Sequence, residues 1–275
     1  MTLSQRRKIS HFIIIVVMLG IGILFMMPYV WMIMNSFKAS VEIMKGVSLL
    51  PQKFIWDNYV TVATGAPILT WFNNSVIVSV LTTLIVLFTS SLAGYVFAKF
   101  DFRGKNMIFW FILATMMVPS QTTMIPSFLL IETIGLYNNL AALVVPSMVG
   151  GFGIYLCRQF IEDIPSSLCE AACIDGARNL YIYWRIIVPL IMPAISALAI
   201  FTFLAKWNDY LGPLLYLNDT DKMTMPLALR FFSSQRKSDV GAIMAASAMV
   251  MLPVTIVFLA FQKQFIKGIA ITGMK

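Results

Sequence analysis

Glu170-Ala171-Ala172-Cys173-Ile174-Asp175-Gly176, followed after nine residues by Ile186-Ile187-Val188-Pro189, lies in a polar interval between strongly apolar runs. Ser167, three positions before Glu170, matches a capping box and predicts a short helix that starts there. Ala171, Ala172 and Cys173 give this helix a slim face, and Gly176 tolerates the positive φ that ends it. Leu180, Tyr183, Trp184 and Ile187 recur at helical spacing, which predicts a second, amphipathic stretch with those four on one face. Pro189 and Pro193 then mark the entry to the next apolar run. The interval reads as two short helices joined by a tight turn along a membrane surface. Its slim face suits close approach by another protein; the plainer reading is a capped connection in which Glu170 only caps.

The membrane follows from composition. Apolar residues make up 59% of the 275 and mean hydropathy is +0.84, well above what soluble domains show. Six runs reach or approach the roughly 20 residues a helix needs to cross the hydrocarbon core: about 11–34, 72–97, 107–130, 140–157, 187–205 and 240–262. They are continuously apolar rather than alternating, which selects helices over a closed barrel. The expected fold class is an all-α membrane protein, with six transmembrane helices in a single domain over 1–275 and a polar loop at 158–187.

Arg6, Arg7 and Lys8 ahead of an apolar stretch invite a signal-peptide reading. Phe12 to Met34 is too long for an h-region, and no small-x-small cleavage pattern follows, so an uncleaved first span is expected. With the N-terminus inside, the inner segments collect twelve of the 20 Lys and Arg, including Lys99, Arg103 and Lys105 in one short loop. That bias places both termini in the cytoplasm. It also accounts for the net charge of +8 without a nucleic-acid partner.

Several chemistries are argued against. Cys157, Cys169 and Cys173 all fall inside, where disulfides are rare. Cys169 and Cys173 share a helical face, but the only histidine, His11, is distant in sequence, so no metal site is expected. Lys99, Glu132, Arg158, Lys206 and Asp209 sit at or beyond the ends of the runs. Ion-coupled carriers bury such charges at depth, although sodium sites built from carbonyls and hydroxyls stay open. Gly104-Lys105 precedes Asn106, and position 99 is lysine where a Walker A loop requires glycine. The chain is not expected to be an enzyme, and its energy must come from a partner or from a solute gradient.

Helix breakers occur inside the runs. Pro119-Ser120-Gln121-Thr122-Thr123 and Pro126 interrupt the third, Pro146-Ser147 and Gly150-Gly151-x-Gly153 the fourth, and Pro253 sits in the sixth. Broken backbone at depth is tolerated against protein or beside a wet cavity. A polar pathway past Asn73, Asn74, Gln121 and Thr122 is one reading; packing through small residues and hydroxyls is the other.

The spacing Glu-Ala-Ala, three residues, Gly, nine residues, Ile-x-Val-Pro resembles the docking loop of ABC importer permeases. The likeness continues in Gly135-Leu136-Tyr137-Asn138-Asn139, Gly153-Ile154-Tyr155-Leu156-x-Arg158-Gln159-Phe160, Trp207-Asn208-Asp209-Tyr210-Leu211-Gly212-Pro213 and Thr224-Met225-Pro226-Leu227. Together these resemble the maltose-type, carbohydrate-uptake branch, most specifically over 120–230, and the smaller of the two permeases there. Val188 stands where leucine is usual and Cys173 where another apolar residue is common, neither a threat to docking.

The resemblance implies an ABC importer type I permease fold in the bacterial cytoplasmic membrane. The implied partners are a homologous second permease, two ATPase subunits, an extracytoplasmic solute-binding protein and membrane lipid. No cofactor would be bound by this chain; ATP and Mg would be used by the ATPase. Glu170, Ala171, Ala172, Asp175, Gly176 and Pro189 would form the ATPase-docking element, with Glu170 meeting a basic residue. Gly268 and Gly273 would belong to a C-terminal extension reaching the ATPase. Trp207, Asn208 and Asp209 would contact the binding protein. The implied function is import of a sugar or oligosaccharide; a gradient-driven secondary carrier and a membrane-bound sensor are the rival classes.

Overall fold

The computed structural model of the chain describes residues 3–235 and 239–272. Among these residues there is no strand, and three helices are long and apolar enough to cross a membrane alone: Ser10–Asn35, Ile68–Lys99 and Val240–Ala260. Three further crossings are bent pairs: Lys105–Thr115 with Ser120–Thr133 (93°), Ala141–Ser147 with Gly151–Glu162 (43°), and Asn179–Leu190 with Met192–Trp207 (78°). With each pair counted as one crossing there are six, called spans one to six below.

The breaks expected in the third and fourth runs are present, but the fifth run is broken as well and its helix begins earlier, at Asn179. The sixth runs unbroken through Pro253 in a helix that extends over Val240–Thr272. The contrast has a local cause. Each broken span carries two breakers close together, and span five has Pro189 and Pro193 in the first turns of successive helical pieces. A proline in a first turn forfeits no intrahelical bond, so the chain restarts there. A lone proline such as Pro28 or Pro253 removes one bond and leaves the helix continuous.

The single unit expected over 1–275 divides by its contacts into two, residues 1–68 with 228–252 and residues 69–227 with 253–275. In the first unit, the segment after span one is tied to the start of span six. Asn58 Nδ2 donates to the Ser36 and Lys38 carbonyls at 2.8 Å each, and Ser40 Oγ donates to Asp239 Oδ1 at 2.9 Å. The most apolar window of span one buries nothing within this chain.

The second unit is organised around span two. One cluster joins Val86 and Tyr95 of span two to Cys157 and Ile161 of span four and to Ile182, Tyr183, Ile187, Ile191 and Leu198 of span five. Another joins Val78 to Ile131 of span three, Ala142, Leu143 and Val144 of span four, and Tyr216 and Leu217 beyond span five. Buried hydroxyls on span two add directed bonds: Ser91 Oγ meets Tyr183 Oη at 2.7 Å, and Thr89 Oγ1 donates to the Met148 carbonyl at 2.7 Å.

Spans two and four approach closely at Gly94. A Cβ placed there would lie 2.7 Å from Cys157 Cβ and 2.8 Å from the Arg158 backbone nitrogen. Neither atom is the end of a flexible side chain, so the helices themselves would have to separate. Gly94→Ala is therefore expected to destabilise the protein by about 1–3 kcal/mol, the usual cost of overpacking, read as a lower melting temperature in detergent. Gly20→Ala, where a Cβ meets nothing within 4 Å, is expected to leave it unchanged.

Candidate functional site

The loop between spans four and five is built around the helix Ser166–Ile174. Its start differs from the capping box expected at Ser167. Pro165 holds the N-cap position with φ −57° and ψ 130°, and no side chain caps the helix. Proline presets φ and supplies a turn, so the helix begins one residue before Ser167 and that serine falls inside it.

Its end is as expected. Gly176 has φ +83°, the Ala177 N–H donates to the Ala172 carbonyl at 2.9 Å, and the Gly176 N–H donates to the Cys173 carbonyl at 3.0 Å. This pair of crossed bonds is a Schellman stop. Its apolar side faces inward, since Cys169, Ala172 and Ala177 pack on the cluster of Cys157, Ile161, Ile182 and Tyr183. The base is fixed by Lys99, whose Nζ donates to the Ile164 carbonyl.

The opposite side is open. Glu170, Ala171, Cys173, Asp175 and Gly176 are exposed, as is Pro189 in the next helix. Ile174, at the helix end, is 86% exposed, a large apolar side chain beside the stop glycine that the sequence reading did not single out. Burial pushes the Cys169 thiol up; Lys99 acts against this shift, whereas Cys173 and Glu170 add to it.

The following helix also departs from expectation. Ile182, Tyr183 and Ile187 are its buried residues, whereas Leu180 and Trp184 are exposed. The cause is a π turn over Tyr183–Ile187, which shifts the register of the inward face. Between the two helices lies a cleft of about 850 Å³ lined by Asp175, Gly176, Arg178, Tyr181 and Arg185 among others.

The loop between spans five and six is clamped onto span two and the 134–139 turn. Asn138, at φ +57°, donates its N–H to the Tyr216 carbonyl at 2.8 Å, and its Oδ1 accepts from the Asn218 and Asp219 N–H groups at 3.1 Å each. Trp71 Nε1 donates to the Thr220 carbonyl at 2.6 Å, and Asn74 Nδ2 to the Asp221 and Met223 carbonyls at 2.8 and 2.9 Å. Ser75 Oγ accepts from the Met225 N–H at 2.8 Å. A hydrogen bond from Asn138, then Lys222, holds the Asp219 carboxyl below its ordinary range. The Gly135–Asn139, Trp207–Tyr216 and Thr224–Leu227 motifs, separate in sequence, are thus sides of one structure.

The remaining predicted residues fall as follows. Trp207 is 1% exposed, packed on Phe72 and Phe203. Its place as a contact for a binding protein is corrected: the indole is core. Asn208 is exposed and bonds the Leu204 carbonyl, and Asp209 Oδ1 accepts from the Gly212 N–H at 3.0 Å, starting the next helical turn. Asn73, Gln121 and Thr122 are exposed, whereas Asn74 is buried. Asn74 is committed to the clamp on the 216–225 loop, and Thr122 bonds the Pro119 carbonyl within its own 3-10 turn. Gly268 lies in the Val240–Thr272 helix, and Gly273 lies outside the described residues.

Two substitutions test these turns. A Cβ on Gly176 meets nothing within 4 Å, so Gly176→Ala is expected to cost only the left-handed strain, about 1–2 kcal/mol, seen as faster amide exchange over 166–177. Asn138→Ala removes the clamp's acceptor and adds the same strain. Asn138→Gly removes the acceptor alone, so exchange over 216–225 should rise in both and further in the alanine variant.

Residues 90–271 match the family described as binding-protein-dependent transport system inner membrane component. The arabinooligosaccharides transport system permease protein AraQ of Halalkalibacterium halodurans is 32% identical, over 98% of this chain and 100% of that one. The lactose transport system permease protein LacG of Rhizobium radiobacter is 30% identical over 98% of each chain. The crystal structure of a bacterial ABC transporter involved in the import of the acidic polysaccharide alginate superposes with a TM-score of 0.83 at 24% identity, covering 96% of this chain and 99% of that one. Family match, full-length relatives and shared fold agree: the chain belongs to the binding-protein-dependent transport system inner membrane components, the membrane permeases of ABC importers.

Proposed function

We propose that this permease forms half of the pathway by which a sugar or oligosaccharide enters a bacterial cell, driven by a separate ATPase docked on the Ser166–Ile174 helix. The observation that carries the docking is the division of that helix into two sides. Cys169 and Ala172 are packed inward, while Glu170, Ala171 and the tip through Gly176 stand open on a base fixed by Lys99. A helix held this firmly transmits a push rather than absorbing it. The relatives named for arabinooligosaccharides, lactose and diacetylchitobiose support a carbohydrate as the cargo.

In this reading both termini and the 163–178 loop face the cytoplasm. A homologous second permease completes the pathway, and two ATPase subunits below use ATP and Mg. The clamped 207–225 loop faces outward to a solute-binding protein. An alginate importer of the same fold has been crystallised with its alginate pentasaccharide-bound periplasmic protein, which supports an external partner of that kind. Asn208, rather than the buried Trp207, is the residue of that motif a partner can reach. Gly268 and Gly273 belong to the extension towards the ATPase.

The test is reconstitution of the chain with its partner subunits and measurement of solute-stimulated ATP hydrolysis together with uptake. Glu170→Lys reverses a charge at the docked face and is expected to lower both by about tenfold or more, with unchanged amounts of permease in the membrane. Hydrolysis and transport left intact by that variant would sink the docking assignment. Uptake that survives ATP depletion would instead make the protein a gradient-driven carrier.

A further inference from the structure

We infer that the solute is contacted at the break in span four, in a groove where Thr82 offers it a hydrogen bond. The groove, about 330 Å³, is lined by Thr82 of span two, Ser147, Gly150 and Phe152 of span four, and Phe201 and Thr202 of span five. That volume lies at the lower end of the range for small-molecule sites. The ligand class, a neutral polyhydroxylated ring, rests on the carbohydrate reading above.

Three independent features converge there. Thr82 is 0% exposed and its Oγ1 has no hydrogen-bond partner. On the same helix Thr83 and Ser91 donate to the helix's own carbonyls, at Ser79 and Leu87, whereas the buried hydroxyls of Ser79 and Ser90 also lack a partner; of these three partnerless hydroxyls only Thr82 lines the groove. Secondly, the Gly151–Glu162 helix begins at this point, and its N-cap, Gly150, has no side-chain cap. The first-turn amides of a helix have no partner within it, so they are donors open to an oxygen of a bound molecule. Thirdly, Phe152 and Phe201 meet edge-on at 6.2 Å between ring centroids, both partly exposed. A sugar ring has apolar C–H faces and a hydroxylated rim, so it matches rings on one side and donors and acceptors on the other. No carboxylate lines the groove, and Lys206 on its rim faces Asp209 at 3.7 Å. These residues take the place of Asn73, Asn74, Gln121 and Thr122 as the solute contacts.

Thr82→Val in the complete importer, assayed in cells, separates this role from a structural one. Replacing a partnerless buried hydroxyl with a methyl of the same shape is neutral or favourable for folding, so a structural threonine predicts undiminished uptake. Here the maximal uptake of a labelled arabino-oligosaccharide is expected to fall about threefold to tenfold at an unchanged level of protein, and Thr82→Ser to retain it. Ser79 is equally buried and partnerless but does not line the groove; Ser79→Ala is expected to transport normally. Normal transport by Thr82→Val, or an equal loss in Ser79→Ala, would overturn the assignment. A second measurement uses Ser147→Cys and Thr202→Cys with a charged, membrane-impermeant thiol reagent. Labelling that the arabino-oligosaccharide slows supports the site, and failure to label either cysteine overturns it. Labelling without protection, when the wild-type chain takes up no sugar, supports the wet groove while removing the carbohydrate reading.

Discussion

A peptide group inside hydrocarbon has no water to bond, so every interruption of a transmembrane helix must find its partners in the protein. Three of the six spans are interrupted here, and span two is the element that makes the break in span four tolerable. Thr89 takes the Met148 carbonyl left by that break, Ser91 meets Tyr183 where span five changes register, and Gly94 lets span four approach to backbone contact. Span three solves the problem locally, with Thr122 and Thr123 bonding carbonyls three residues back. Of the three long helices, span two is also the most buried in its apolar window. Its hydroxyls are therefore not a generic polar sprinkling: several are the means by which its neighbours depart from helical geometry.

The two ends of span two serve two different loops. At one end Trp71, Asn74 and Ser75 hold the 216–225 loop by its backbone. At the other, Lys99 holds the Ile164 carbonyl just before Pro165, the N-cap of the next helix. Both loops are consequently positioned by side chain to backbone bonds, which fix a path with little regard for the loops' own side chains. That leaves the outward faces of the loops, with Glu170, Ile174 and Asn208, exposed.

Much of this was legible in the chain. The six runs, the small-residue helix and its glycine stop are periodicity and turn chemistry, and both act locally. What failed was information held elsewhere in the fold. Ser167 has the sequence of a cap but lost the position to Pro165, whose restricted φ already sets the turn. Leu180 and Trp184 fit an ideal helical face, and the π turn at Tyr183 moved that face by changing the number of residues per turn. Asn74 and Trp207 looked like functional polar and aromatic residues; each is a structural member with a partner well over a hundred residues away in sequence, the Asp221 and Met223 carbonyls for Asn74 and Phe72 for Trp207. The significance of Asn138 depends on carbonyls and amides of the 216–219 segment that no local pattern announces.

The division between rigid and deformable parts follows from the same contacts. The Ser166–Ile174 helix is fixed at its base by Lys99, at its end by the Schellman bonds and along one side by Cys169, Ala172 and Ala177. It shares that packing with the Cys157–Ile161 part of span four and the Ile182–Ile187 part of span five, so these pieces move as one body or not at all, because close-packed interiors do not deform continuously. A displacement imposed on the helix is then absorbed at the nearest places that lack a continuous hydrogen-bond ladder. Those places are the 78° bend at Ile191 and the 43° bend before Gly151. The second of them borders the groove in which Thr82 has no partner, so a push on the loop and a change at the solute contact meet at the same few residues of backbone.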